Sequence, residues 1–184
     1  MLSRAFFDRP VLDVAPELIG VTLLVDGVGG EIVEVEAYDE SDPASHSFRG
    51  VTPRNAAMFG PAGHAYLYKI YGIHFCLNFV CWPGSAVLIR ALRPTDGFGE
   101  MHERRGGVAE KQLCSGPGKL ASALGLNLSQ NGLALDEPPF ALLAAETRPK
   151  VATGPRIGIT KGVETPWRFV ASGSPYLSKP LRTL

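Results

Sequence analysis

The chain has 184 residues, enough for one domain with a sizeable buried core, and its 45% hydrophobic and 20% charged content excludes a disordered chain. No apolar run reaches membrane-spanning length and MLSRAFFDRP lacks the long apolar core of a secretory signal, so the cytoplasm is the expected location. The 18 basic residues balance 18 acidic ones, which speaks against indiscriminate nucleic-acid binding, and Cys76, Cys81 and Cys114 form no CxxC pair, so neither a disulfide framework nor a zinc site is implied.

The charge is nonetheless uneven. Residues 1 to 60 hold ten acids and four bases, a net −6, and residues 61 to 184 hold fourteen bases and eight acids, a net +6. The later part would suit a polyanion, although charge alone favours a plain solvated surface.

Residues 11 to 20, VLDVAPELIG, read as a short helix with Asp13 as N-cap, Pro16 near the first turn and Gly20 as the stop. VTLLV at 21 to 25 is a strand, and an Asp26-Gly27 turn with Gly29-Gly30 returns the chain into a second strand from Glu31 to Tyr38. Alternation puts Val33, Val35 and Ala37 on one face and Ile32, Glu34, Glu36 and Tyr38 on the other. The first face is core. The second fits a site or a solvated outer surface, and alternation alone leaves both open.

Residues 39 to 63 form a long polar connection carrying His46, Arg49 and Arg54, and loops of this length are often functional. A hairpin follows at 64 to 81. Tyr66, Tyr68 and Ile70 share a face going out, and Phe75, Leu77, Phe79 and Cys81 alternate with His74, Cys76, Asn78 and Val80 coming back. Its turn, near Tyr71-Gly72-Ile73, projects Tyr71 and Ile73, and large apolar groups at an exposed tip suggest a partner surface. Side chains of this kind wedge duplexes open when inserted between base steps.

VLIRAL at 87 to 92 is a strand with Arg90 flanked by Leu88 and Leu92, and burying that charge unpaired would be expensive, so Glu36 is its candidate partner. GEMHERRGG reads as helical, with Arg104 and Arg105 on a solvated face. SGPGKLASALGL opens a helix whose free N–H groups and Lys119 form either an anion site or a plain cap. Residues 127 to 150 read as loop with one short element near PFALLAA, GPRIGITKG at 154 to 162 as a short strand ending in a turn with Arg156 and Lys161, and WRFVASGSPYLS as a last strand and tail.

In this order EVEAY, the downstream His46, TPRNAAMF, AYLYKIYGIHFCLN, VLIRAL, SGPGKL and GPRIGI resemble the alkyladenine, or 3-methyladenine (N-methylpurine), DNA glycosylase family, over about residues 5 to 178. The expected fold is α+β: a single domain over 1–184 with a curved, mostly antiparallel, partly open barrel-like sheet, flanking helices and a protruding β-hairpin. The resemblance implies a monofunctional glycosylase of base excision repair. It would flip alkylated or deaminated purines (3-methyladenine, 7-methylguanine, ethenoadenine, hypoxanthine) out of double-stranded DNA and hydrolyse the N-glycosidic bond. A monomer without cofactor, metal, membrane or obligatory protein partner is expected, with access to the bacterial nucleoid.

By the same resemblance Glu36 matches the glutamate that activates water, Arg90 the arginine that helps hold this water, and the carbonyl of Ile157 a third water contact. Tyr38 and Tyr68 match pocket aromatics, His46 would close the pocket, the backbone near Ala44 would read the purine edge, and Asn78 would disfavour the 2-amino group of guanine. Tyr71 matches the intercalating tyrosine with Ile73 beside it, and Arg54, Lys119 and Lys161 are expected along the DNA backbone. No lysine matches a Schiff-base position, so no lyase step is expected. Glu34 is the rival carboxylate, and only register with the motif selects Glu36. His74 departs from the family, which carries aromatic residues there.

Two other readings differ in class. A noncatalytic nucleic-acid-binding module would have the type of sheet expected in the carboxyl-terminal domain of methionyl-tRNA formyltransferase, but has no need of a carboxylate at the base of a pocket. A carbohydrate hydrolase using Glu34 and Glu36 would have little room for a sugar between residues two apart on one strand.

Overall fold

The computed structural model describes residues 1–181. Its helices are α1 (Arg4–Phe7), α2 (Val11–Glu17), α3 (Phe98–Arg105), α4 (Glu110–Leu113) and α5 (Pro117–Ala123). Its strands are β1 (Thr22–Val25), β2 (Val28–Tyr38), β3 (Ala65–Ile70), β4 (His74–Val80), β5 (Ala86–Asp96), β6 (Phe140–Leu143), β7 (Val151–Gly154) and β8 (Arg168–Ala171). Together they make the expected α+β fold, a curved half-barrel sheet with antiparallel pairings and a few short helices. None of the helices among the described residues is long and apolar enough to cross a membrane.

The sheet runs β3-β4-β5-β2-β1-β6, and β2 is its trunk. β5 lies along one edge of β2, while the other edge is divided: β1 pairs with Val28 to Glu31 and β8 pairs with Glu34 to Glu36. The trunk begins at Val28, before the expected Glu31, and Gly29 and Gly30 are strand residues rather than turn residues. A β-carbon on Gly29 would stand 1.9 Å from the Leu23 carbonyl oxygen, and one on Gly30 2.0 Å from that of Arg93. Close backbone approach on both edges therefore requires glycine. The turn itself is Asp26-Gly27, with φ of 49° and 79°.

Two of the three register shifts between β2 and β5 modify alternation near the site. Ile32 pairs with Leu92 and Glu34 with Ala91, which leaves Val33 extra on β2; Val35 pairs with Ile89, which leaves Arg90 extra on β5. Such irregularities re-aim side chains. Ile32 and Leu92 accordingly join Val33, Val35, Val87 and Ile89 in the main apolar core, rather than the face of Glu36 and Arg90 where alternation puts them. Leu88, by contrast, lines the pocket as expected.

Val14 and Ala15 of α2, Met101 of α3, Leu113 of α4 and Leu120 of α5 close over this core. The hairpin obeys alternation: Leu67, Leu77 and Phe79 face the core, and Tyr66 with Val80 joins a second small cluster, with Met58 and Ala86, on the opposite side. The three cysteines are buried free thiols, and burial pushes Cys81 and Cys114 up to about 12.

Several local readings are corrected. Pro10, with φ of −52°, is the N-cap of α2, and Asp13 falls inside the first turn. Arg104 and Arg105 are more than a solvated face, because they donate to the carbonyls of Ala123 and Leu113 and tie α3 to its neighbours. Residues 155 to 162 are irregular and the strand, β7, precedes them. Pro155 has no N–H for a ladder and Gly158 has φ of 75°, so the segment cannot continue one.

The Gly30→Ala substitution is expected to lower unfolding free energy by about 3 kcal/mol or more, because a backbone oxygen occupies the space of the new methyl. Urea unfolding measures it, and a loss within about 0.5 kcal/mol would show that the trunk yields.

Candidate active site

A cavity of about 600 Å³ opens on the sheet face opposite the main core. Its walls come from the hairpin (Tyr66, Tyr68, Asn78), the trunk and its neighbour (Tyr38, Arg90), the loop after β2 (Ala44, His46) and the loop after β7 (Ile157 to Lys161). The structure thus gathers Tyr38, Ala44, His46, Tyr68, Tyr71, Asn78, Arg90, Ile157 and Lys161, residues distant in sequence, around one space.

Glu36 is fully buried and stands behind the cavity lining rather than in it. Its Oε1 accepts the Ile157 N–H at 2.7 Å, and its Oε2 accepts the Tyr38 hydroxyl at 2.7 Å and Arg90 Nη1 at 3.3 Å. All three donors line the cavity. Ile157 meets the site through its N–H, a contact that the expectation for its carbonyl does not include. Burial, with the charge and hydrogen bond of Glu36, pushes the Tyr38 hydroxyl far above its usual range, so it stays a donor. For Arg90 burial acts downward, but Glu36 and Glu34 outweigh it and raise the guanidinium further.

Glu34 differs from Glu36 in one countable respect. Its Oε1 accepts Arg90 Nε at 2.9 Å, Arg168 Nε at 2.9 Å and Ser178 Oγ at 2.7 Å, and its Oε2 accepts the Ser178 N–H at 2.6 Å. A carboxylate offers about four lone-pair positions. Three of the four donors to Glu34 crowd its Oε1, and of these partners only Arg90 lines the cavity; the three donors to Glu36 all line it and leave one position on its Oε1 free.

The loop after β2 is polar but held. Arg156 is buried, with its guanidinium 4.7 Å from the centre of the Tyr38 ring and 5.3 Å from that of Trp167. It donates to Asp42 with both terminal nitrogens, to the Ala37 carbonyl at 3.0 Å and to the Gly162 carbonyl at 3.3 Å. Asp42 in turn accepts the Ala44 N–H at 3.0 Å. Asn55 donates to the His46 carbonyl at 2.8 Å, and Ser47 to the Gly84 carbonyl at 2.7 Å. From the sequence Arg156 is only a basic residue near a turn, and Asp42, Asn55, Arg168 and Ser178 do not stand out. The one available signal is turn-forming Asp, Asn and Ser in a long loop.

His46 sits at the rim, its Nδ1 3.1 Å from the Tyr66 hydroxyl and its ring edge-on to Tyr68 at 4.5 Å. Burial, and secondly the charge of Arg54, hold its imidazole below the ordinary 6.5, which keeps it neutral at pH 7. Burial also pushes the Tyr66 hydroxyl up to about 12. Asn78 is buried and donates its amide to the Tyr66 carbonyl at 3.1 Å, which fixes its orientation.

Beyond the rim the hairpin tip stands clear. Tyr71 is 88% exposed and Ile73 70%, and Tyr71 takes φ of 50°, a conformation uncommon for a bulky side chain. Arg54 donates to the Lys69 carbonyl at 3.0 Å, joining the loop to the hairpin. Lys161 is exposed at the cavity mouth. Lys119 does not reach the cavity wall; its ammonium donates to Gln112 at 2.7 Å and Ser115 at 3.3 Å. His74 is exposed beside Gly118, where a β-carbon would come within 3.2 Å of it.

The sequence model of the methylpurine-DNA glycosylase (MPG) family matches residues 5–175. The chain belongs to that family. As a methylpurine-DNA glycosylase it has close relatives, each named "Putative 3-methyladenine DNA glycosylase". One from Rhodopseudomonas palustris (strain BisB18) is 61% identical over 97% of this chain and 91% of its own. One from Nitrobacter winogradskyi is 58% identical over 99% and 89%, and one from Nitrosospira multiformis 56% over 96% and 93%.

In this glycosylase the Arg54→Ala substitution is expected to raise the His46 pKa yet leave it below 6.5, because burial is the larger cause. An NMR titration of the His46 ring measures this, and an unchanged midpoint would remove Arg54 as a cause.

Proposed function

We propose that this methylpurine-DNA glycosylase is monofunctional, takes a damaged purine flipped from double-stranded DNA into the 600 Å³ cavity, and hydrolyses its glycosidic bond with water activated by Glu36. The observation that carries this reading is the free lone pair of a buried carboxylate whose three other positions are filled by cavity-lining donors. A noncatalytic binding module has no use for such a group.

The bond cannot be reached in stacked DNA, and extrusion costs a few kcal/mol, least for damaged or mispaired bases. Tyr71, with Ile73 beside it, fills the gap that the nucleotide leaves; Arg54 and Lys161 meet phosphates at the mouth, and Lys119 joins them where the backbone passes α5. These phosphate contacts make binding salt-dependent, and the overall neutral chain adds no net attraction to it. Inside, the base stacks among Tyr38, Tyr68 and His46, and stacking on aromatics contributes roughly 1 to 3 kcal/mol per base with little discrimination. Selection therefore falls to polar groups. The Ala44 N–H is committed to Asp42, so its carbonyl is the group that meets the purine edge. Asn78, fixed through its amide nitrogen, stands where guanine would bring its 2-amino group.

In the chemical step water attacks C1′, its proton passes to Glu36, and the electrons of the C1′–N bond leave with the base. Glu36 and Arg90 orient the water, with the Ile157 carbonyl as third contact, and the carboxylate stabilises oxocarbenium character at the sugar. The substrates are 3-methyladenine, 7-methylguanine, ethenoadenine and hypoxanthine. The enzyme acts as a monomer with no cofactor.

The Glu36→Gln variant is expected to bind lesion DNA and to release 3-methyladenine, ethenoadenine and hypoxanthine at least about 10²-fold more slowly in single turnover. Release at the wild-type rate would remove Glu36 from its role. The Tyr71→Ser variant is expected to hold less of the flipped state in a fluorescent-base assay, and unchanged flipping would sink the wedge.

A further inference from the structure

Arg90 touches both buried carboxylates, but unequally. Its contact with Glu36 is a single one at 3.3 Å, while Glu34 takes its Nε at 2.9 Å. The tighter grip sets the angle of the guanidinium plane. If Arg90 served only to neutralise Glu36, one ion pair would suffice, and the further buried pair of Glu34 with Arg168 would add a desolvation cost without return.

Glu34 is held in turn by the carboxyl-terminal segment. Ser178 donates both its N–H and its hydroxyl to Glu34, and its Oγ lies 3.4 Å from Arg90 Nη2. The segment is fastened on both sides of this serine. Tyr176 donates its hydroxyl to Glu110 of α4 at 2.8 Å, Leu177 packs against the core, and Arg168 donates to the carbonyls of Lys179 and Pro180. The segment itself, residues 176 to 180, lies beyond residue 175, where the match to the family's sequence model ends.

We infer that the segment from Tyr176 to Pro180 is a working part of the active centre: Ser178 fixes Glu34, and Glu34 is a positioning residue that sets Arg90 against Glu36 and its water. The inference rests on the reading of Glu36 as the base. A merely structural tail would change stability and lesion binding together, whereas a positioning device changes the chemical step and leaves binding alone.

The test measures single-turnover release of 3-methyladenine from alkylated duplex DNA, and Kd for a duplex carrying an abasic-site analogue, in wild type, Ser178→Ala, Ser178→Thr and Glu36→Gln. Ser178→Ala is expected to lose about tenfold in release with Kd unchanged within about twofold, and Ser178→Thr, which keeps the hydroxyl, to recover most of the rate. Release by Ser178→Ala within about twofold of wild type, or a Kd that rises in step with the lost rate, overturns the inference. So does a threonine variant no faster than the alanine one. Wild-type release by Glu36→Gln would instead sink the reading of the base and take this inference with it; with Glu36→Gln slow, the serine variants are judged alone.

Discussion

Arg168, Glu34, Arg90 and Glu36 form a row of ion pairs that ends at the pocket wall, alternating in sign, and each inner member is shared by two neighbours. All four are buried, and removing so many charges from water is costly unless each finds full hydrogen bonding. That requirement reaches into the fold. Glu34 and Glu36 share one face of the trunk strand, the extra residue on β5 falls at Arg90, β8 joins the trunk opposite Glu34 to Glu36 and brings Arg168, and the tail folds back so that Ser178 can cap Glu34. The apolar core on the other face supplies most of the stability. The charge row holds Arg90 at the pocket wall.

A second fastening joins the loop after β2 to the buried Glu36. Arg156 lies against the Tyr38 ring, whose hydroxyl donates to Glu36, and its terminal nitrogens hold Asp42, which holds the Ala44 amide. The residue after it, Ile157, gives its N–H to Glu36. One buried guanidinium thus relates the loop of Ala44 and His46 to the buried Glu36 carboxylate. Rigid support of this kind is what reaction geometry needs, because small misplacements of reacting groups lower rates steeply. The hairpin divides its length differently, since its base packs in both apolar clusters while its tip presents Tyr71 and Ile73 to solvent.

Much of this is legible in the sequence because it is local. Alternation alone places Glu34, Glu36 and Tyr38 together, separates Leu77 and Phe79 from Cys76 and Asn78, and puts Tyr71 at a tip. The order of seven short strings points to the family. Other features depend on the partner strand. Ile32 and Leu92 leave their expected face because register shifts at Val33 and Arg90 interrupt the period of two, and nothing in either string marks an extra residue. Gly29 and Gly30 read as turn because glycine permits turns, while their place in the strand is imposed by the Leu23 and Arg93 carbonyls, which only the folded sheet brings near. Arg156 with Asp42 and Ser178 with Glu34 are separated by 114 and 144 residues, and no local pattern announces such pairs. The choice between Glu34 and Glu36 rests in the sequence on register with a motif; in the fold the two carboxylates differ in their partners, which all line the cavity for Glu36 and include only Arg90 from that lining for Glu34.

If the row of charges is the constraint on which the site depends, its members behave as one coupled unit rather than as separate pairs. A double-mutant cycle on Glu34→Gln and Arg168→Met, read by urea unfolding at pH 7, measures this directly. Each single change strands a buried partner, so the pair together should cost less than the sum of the two, with a coupling of about 1 to 3 kcal/mol. Additive losses would contradict this and reduce the row to independent contacts.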